Sequence, residues 1–211
     1  MTQVVDRLHG FQGIIATGSD NTSRYFDAYF GEHPHIIRRN RHAVSVLTGA
    51  ESAEALDGLA RDTLQYFGLG CRNVSKLFVP HSYDFAPLVE RFQKWSPLLQ
   101  HHKYKNNYDY YQTALILNKV PYREVGPLLL VENEKLSSPL SQLYFERYPS
   151  EEAVLNRLQE TASQIQVLST EAPLGWECQV PLGQAQQPAL WNYADQIDTL
   201  AFLTRLKVDL Q

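Results

Sequence analysis

Between Ser52 and Val79 a patterned helix, a glycine turn and an apolar strand follow one another without interruption. This succession restricts the fold more than anything else in the chain. Leu56, Leu59, Ala60, Thr63, Leu64 and Phe67 recur at three- and four-residue spacing, the signature of one apolar helix face. Ser52 stands at the N-cap position, so the spacing predicts a helix from Ser52 through Tyr66. Gly68 follows where a helix is expected to end. The apolar run from Lys76 to Val79 is then a strand. Cys71 lies behind two glycines in the turn between them, where backbone freedom lets a substrate come close.

The same alternation extends along the chain. Residues 11–16 predict a short strand, 17–21 a polar turn, and 22–30 a helix with Tyr25, Phe26, Tyr29 and Phe30 at helical spacing. Strands are expected at 44–47, 113–117, 128–131, 142–145 and 165–168, and strand and turn from Gly175 onward. A helix is expected from Phe85 or Pro87 to about Trp95. Another is capped by Ser150, with Glu151 and Glu152 in its first turn and Val154, Leu155, Leu158 and Ala162 on its apolar face. A last helix falls near 198–206, and the tyrosine- and asparagine-rich stretch 101–111 carries no firm signal. Strands alternating with helices specify an α/β fold with a largely parallel sheet flanked by helices.

At 211 residues the chain can bury one domain, or one domain with an appendage. Its composition, 44% hydrophobic and 20% charged, is that of a globular protein. A net charge of −4 argues against nucleic acid or acidic lipid as a partner. The first thirty residues are broken by Asp6, Arg7, Asp20 and Arg24, and no run approaches the roughly 18 apolar residues of a membrane span. Two cysteines without disulfide spacing point to a reduced, cytoplasmic protein.

Cys71 is the candidate nucleophile; the bland alternative is a structural thiol. Thr17, Gly18 and Ser19 read either as a capped β-to-α turn or as a contact for a cofactor. Arg38, Arg39, Arg41 and His42 form either a phosphate-facing cluster or a solvated charged face. Arg72 and Asn73 either tune the neighbouring thiol or hydrogen-bond the turn. Cys178 reads as structural, and His81 lies across a strand from Cys71 and points away from it. His101 and His102 have no partner at metal-ligand spacing, so no metal is assigned. Tyr104, Tyr108, Tyr110 and Tyr111 read as packing and surface contacts.

Ala16-Thr17-Gly18-Ser19, Gly68-Leu69-Gly70-Cys71, Lys76-Leu77-Phe78-Val79, Glu132 to Leu140 and Tyr148-Pro149-Ser150-Glu151-Glu152-Ala153 follow one another along the chain. In that order they resemble the aldehyde dehydrogenase superfamily, and most closely its acyl-CoA reductase branch, the family of the bioluminescence fatty-acid reductase subunit. Ala16-Thr17-Gly18-Ser19 is similar to the turn after the last strand of that family's dinucleotide domain, and Gly68-Leu69-Gly70-Cys71 to its catalytic turn. The segment from Glu132 to Leu140 is similar to its Glu-Glu-x-Phe-Gly-Pro segment. Residues 67–75, Gly183-Gln184-Ala185-Gln186 and Tyr193-Ala194-Asp195 are worded like the reductase branch. The resemblance implies an aldehyde-dehydrogenase-like catalytic domain over 46–211 and a remnant of the last βα unit of the dinucleotide-binding domain over 1–45. It implies Cys71 as the acyl-accepting nucleophile, and Thr17, Gly18, Ser19 and Glu134 near the cofactor. It further implies NAD(P)H as cofactor of the parent enzyme, none binding tightly to this chain alone, acyl-CoA as substrate, and a homo-oligomer or a complement to the missing dinucleotide-binding portion. The second glutamate of the family segment falls on Lys135, with Glu134 one position away. Where aldehyde oxidisers of the superfamily carry a water-activating glutamate, residues 36–41 hold no carboxylate, which favours acyl-CoA reduction. The rivals are a non-catalytic fragment or oligomerisation subunit that keeps the fold, and a thioesterase, which needs a base that the sequence does not supply.

Overall fold

The computed structural model describes residues 10–206 together with Val4 and Asp6. In chain order its elements are β1 (Ile14–Thr17), α1 (Asp20–Phe30), β2 (His35–Arg38), β3 (His42–Val46), α2 (Ala53–Leu64), β4 (Val74–Pro80), α3 (Ala86–Phe92), α4 (His102–Leu117), β5 (Tyr122–Val125), β6 (Leu128–Glu132), β7 (Gln142–Tyr148), α5 (Glu151–Glu160), β8 (Ile165–Ser169), β9 (Gln179–Val180) and α6 (Thr199–Arg205). They form two compact units, one from residues within 1–40 and 189–211, the other from Arg41–Pro188. The sequence boundary after residue 45 falls inside β3, whose hydrogen bonds to β4 and β8 tie it to the larger unit. Residues from Ala189 onward group with the smaller one.

The larger unit is built on a seven-stranded sheet in the order β5-β6-β7-β4-β3-β8-β9. Every neighbouring pair is parallel except β5 with β6, an antiparallel hairpin at one edge. Successive β4 side chains point to opposite faces. Leu77 and Val79 join the core formed with Leu59, Leu64, Leu88 and Phe92 of α2 and α3. Phe78 joins the other, with Val154 and Leu158 of α5. Burial on both faces explains the apolar runs Leu77–Val79 of β4 and Leu128–Val131 of β6, and why even polar residues of β3 and β8 are buried.

The helix starts follow the sequence. Ser52, Ser150 and Asp198 each accept the N–H three residues on. The 113–117 strand is a correction: these residues are the last turns of α4, which begins at His102 and absorbs the unassigned stretch before them. Its buried face is made by Tyr104, Tyr108 and Leu115. Strands β2 and β5 had no counterpart in the sequence reading.

The smaller unit is a βαβ arrangement. Its parallel strands β1 and β2 run in register from Ile14–His35 to Thr17–Arg38. Ser19 caps the connecting α1 by accepting the Thr22 N–H. Arg38 donates to the Thr199 hydroxyl at the start of α6, 2.8 Å away.

Candidate active site

Cys71 lies three residues before β4, at the amino-terminal edge of that strand, exposed and unbridged. The path to it is conformationally costly. α2 ends at Leu64, earlier than its apolar pattern suggests, and Tyr66, Phe67 and Gly68 then take φ of 55°, 61° and 73°. Left-handed conformations cost non-glycine residues about 1–2 kcal/mol each, so the surroundings must impose them.

Asn73 supplies much of that imposition. Its buried side chain donates through Nδ2 to the carbonyls of Asp62 and Gln65, each 2.9 Å away, at the end of α2. Carbonyls at a helix end lack intrahelical partners, and here a side chain from the far side of the turn satisfies them. Asn73 Oδ1 accepts the Gly70 N–H at 2.8 Å, and the Asn73 N–H donates to the Gly70 carbonyl at 2.9 Å. A Cβ on Gly70 would lie 3.0 Å from Asn73 Oδ1, so this closure suits glycine. The Phe67 ring rests against His101, centroids 4.8 Å apart, and beyond it Tyr104. Asn73 is therefore a staple of the turn, which decides one of the alternatives the sequence left open.

A distant loop closes over the same helix. Gly58 of α2 meets Gly183 so closely that a Cβ on Gly58 would lie 2.9 Å from both Gly183 Cα and Leu182 O. Beside this contact the wholly buried Asp62 accepts the N–H groups of Gly183 at 2.7 Å and Ala185 at 3.2 Å through Oδ2. Burial pushes the Asp62 carboxyl above the ordinary range, and these backbone donors pull against that shift. Arg72 Nε donates to the Ala185 carbonyl. The two stretches 67–75 and 183–186, far apart in sequence, thus meet around the candidate nucleophile. Sequence reasoning missed Asp62, because a lone aspartate on a helix gives no signal of a loop 121 residues away.

The segment that carries Glu134 is anchored nearby. The fully buried Lys76 donates to Glu146 Oε2 at 2.9 Å and to the Asn133 carbonyl, and Ser75 donates to the Leu136 carbonyl at 2.8 Å. Burial lowers the Lys76 ammonium from its ordinary value, with Glu146 opposing. The Glu134 carboxylate is exposed, and its main-chain carbonyl accepts Arg157 at 2.8 Å. A cavity of about 30 Å³, the space of a water molecule, lies between this segment and the turn, lined by Gly68, Ser75, Tyr104 and Ser141 among others.

Thr17, Gly18 and Ser19 belong to the smaller unit. Ser19 Oγ is engaged by Thr22, and the Gly18 N–H donates to the Arg38 carbonyl at 3.3 Å. Arg39 pairs with Asp27 at 2.8 Å on the surface. His81 follows the end of β4 while Cys71 precedes its start, so seven strand residues, about 23 Å, separate them and no Cys–His pair forms. Among the described residues no group of three or more His, Cys, Asp or Glu is placed to hold a metal. No helix there is long and apolar enough to cross a membrane.

No protein-family profile matches the sequence, and neither does any curated protein. Solved structures do match. An indole-3-acetaldehyde dehydrogenase from P. syringae, solved with NAD+, superimposes with a TM-score of 0.57 at 14% identity, over 75% of this chain and 40% of that one. An aldehyde dehydrogenase from Pseudomonas aeruginosa gives 0.56 at 14%, over 75% and 40%. A 1-pyrroline-5-carboxylate dehydrogenase from Thermus thermophilus gives 0.55 at 11%, over 77% and 39%. The chain thus spans about 40% of the length of these enzymes. At such identities the likeness establishes the fold, an α/β fold with a mostly parallel sheet like that of aldehyde dehydrogenase catalytic domains.

Proposed function

We propose that this chain is the thioester-forming portion of an acyl-CoA reductase and that Cys71 is its acyl acceptor. The observation that carries the reading is the exposed Cys71 thiol on a glycine turn fixed from both sides by Asn73, in a fold shared with aldehyde dehydrogenases. The Cys71 thiolate attacks the acyl-CoA carbonyl, and the carbonyl electrons move onto oxygen. The Cys71 backbone N–H helps hold that oxyanion. The C–S bond to CoA breaks, CoA leaves as a thiolate and takes up a proton, and an acyl–Cys71 thioester remains. The absence of a carboxylate from residues 36–41 favours transfer between thiols over hydrolysis.

Reduction of the thioester to a fatty aldehyde requires a hydride, which NAD(P)H supplies in the parent activity. The residues here make only a fragment of such a site. Ser19 Oγ and the Gly18 N–H are engaged within their own unit, and Glu134 offers one exposed carboxylate in the other. No step of the proposed chemistry on this chain is therefore routed through the cofactor. The smaller unit supports a partner that completes it. Its parallel sheet has only two strands among the described residues, and parallel sheets are normally covered on both faces. Ile15, Tyr25 and Tyr29 stand exposed there. A dinucleotide-binding portion is the partner we assign, with a further copy of the chain as the alternative assembly.

Quenched-flow measurement of free CoA tests the reading. One CoA per chain in a burst, with no continuing release, is expected. Steady hydrolytic release would instead make the protein a thioesterase, and no release from folded protein would remove the acyl-acceptor role.

A further inference from the structure

We propose that Asp62 is a positioning residue for Cys71: its carboxylate holds the Gly183–Gln186 loop, whose Ala185 carbonyl in turn holds Arg72 beside the nucleophile. This inference rests on the reading of Cys71 as the acyl acceptor. Three observations carry it. Asp62 is wholly inaccessible to solvent, yet only Oδ2 is partnered; Oδ1 has no hydrogen bond among the described residues. A buried carboxylate is costly, and one that grips a loop by two main-chain N–H groups is held for what it fixes. A single residue, Ala185, carries the connection onward. Its N–H donates to Asp62 and its carbonyl accepts Arg72 Nε, the residue next to Cys71. Asp62 also reaches the turn directly, since its main-chain carbonyl accepts Asn73 Nδ2 at 2.9 Å.

The hold depends on charge. An ionised carboxylate accepts N–H groups more strongly than a neutral one, so titrating Asp62 changes how firmly the loop and turn are kept together. The groups around it are few. Arg61 is the neighbouring cation on α2, and Arg91 of α3 and Lys94 just beyond it engage Asp57 instead. The loop presents main-chain amides and Gln186, with Glu171 taking the Leu182 N–H at 3.0 Å, and the turn presents neutral Asn73 and Arg72. Burial raises the carboxyl's titration, which brings it nearer to conditions in which the protein is folded.

The test is the rate of iodoacetamide alkylation, followed by mass at the Cys71 peptide of the whole chain across mildly acid to mildly alkaline pH. The wild-type profile is expected to carry an inflection due to Asp62, with faster reaction once Asp62 ionises. Asp62→Asn should lose that inflection and be alkylated about fivefold more slowly, the ratio between a charge-assisted and a neutral hydrogen bond. Arg72→Met severs the connection while leaving Asp62 in place and should lose the same inflection. A wild-type profile in Asp62→Asn overturns the proposal. If that variant does not fold, an unchanged profile in Arg72→Met overturns it equally. Failure of wild type to accept an acyl group would remove the catalytic reading of Cys71, whereas alkylation reads the coupling to the turn in either case.

Discussion

Replacing Asn73 tests whether a side-chain staple holds the reactive turn. In Asn73→Ala the Asp62 carbonyl, which belongs to a buried residue, loses its best donor, and Gln65 O and Gly70 N–H lose partners nearer the surface. A buried group left unpaired costs about 1–3 kcal/mol and each exposed bond about 0.5–1, which together give about 3 kcal/mol. With an m-value of about 3 kcal/mol/M, the urea midpoint should fall by about 1 M. Asn73→Asp discriminates further. It keeps the acceptor for Gly70 but replaces the donor with an anion facing carbonyl oxygens, so it should be at least as destabilising as alanine. Urea titrations followed by tryptophan fluorescence decide the matter. An Asn73→Asp protein with the wild-type midpoint would refute the reasoning, because the donor half of the staple would then contribute nothing.

Gly58→Ala adds a methyl 2.9 Å from two main-chain atoms of the 182–183 segment. An overpacking cost of about 1–3 kcal/mol exceeds the helix-propensity gain of about 1, so calorimetry should show Tm lower by about 2–5 °C. Lys76→Met removes the donor to Asn133 O and Glu146, although Arg157 Nε stays 3.4 Å from Glu146; a loss of about 2 kcal/mol at neutral pH is expected. The pH dependence has a fixed sign. The folded Lys76 ammonium titrates below its unfolded value, so the unfolded chain binds more protons between the two. Wild type should therefore gain stability relative to Lys76→Met as pH rises through that window, and a difference that shrinks or stays constant in paired denaturation curves would contradict the burial argument.

The βα architecture was legible because its signals are local. Ser52 and Ser150 act as caps where the sequence places them, a helix follows Asp198 as expected, and the stretches 44–47, 76–79, 128–131 and 165–168 mark strands of a sheet covered on both faces. The 113–117 stretch misleads for a physical reason. An apolar run of four residues, Ala114–Leu117, has no period of its own, and the helical register is set further back by Tyr104 and Tyr108, whose rings take the core positions usually held by aliphatic side chains. The premature end of α2 was hidden for another reason: its apolar pattern runs on to Phe67, and only the Asn73 staple shows why the backbone turns left-handed at Tyr66. The position of Cys71 in a turn could be read from two glycines. Asn73 as a hydrogen-bonder of the turn was one of the readings open in the sequence; the long-range hold was not, because Asp62 and Arg72 reach a loop more than a hundred residues away, and pairings at that separation leave no trace in a single sequence.

The central claim is that Cys71 accepts an acyl group, and intact mass after brief incubation with a long-chain acyl-CoA, beside a Cys71→Ser control, tests it most directly. The expected result is a single hydroxylamine-sensitive acyl adduct on the wild-type chain and none on the control. An adduct that persists in Cys71→Ser, or no adduct on folded wild-type protein, would contradict the claim.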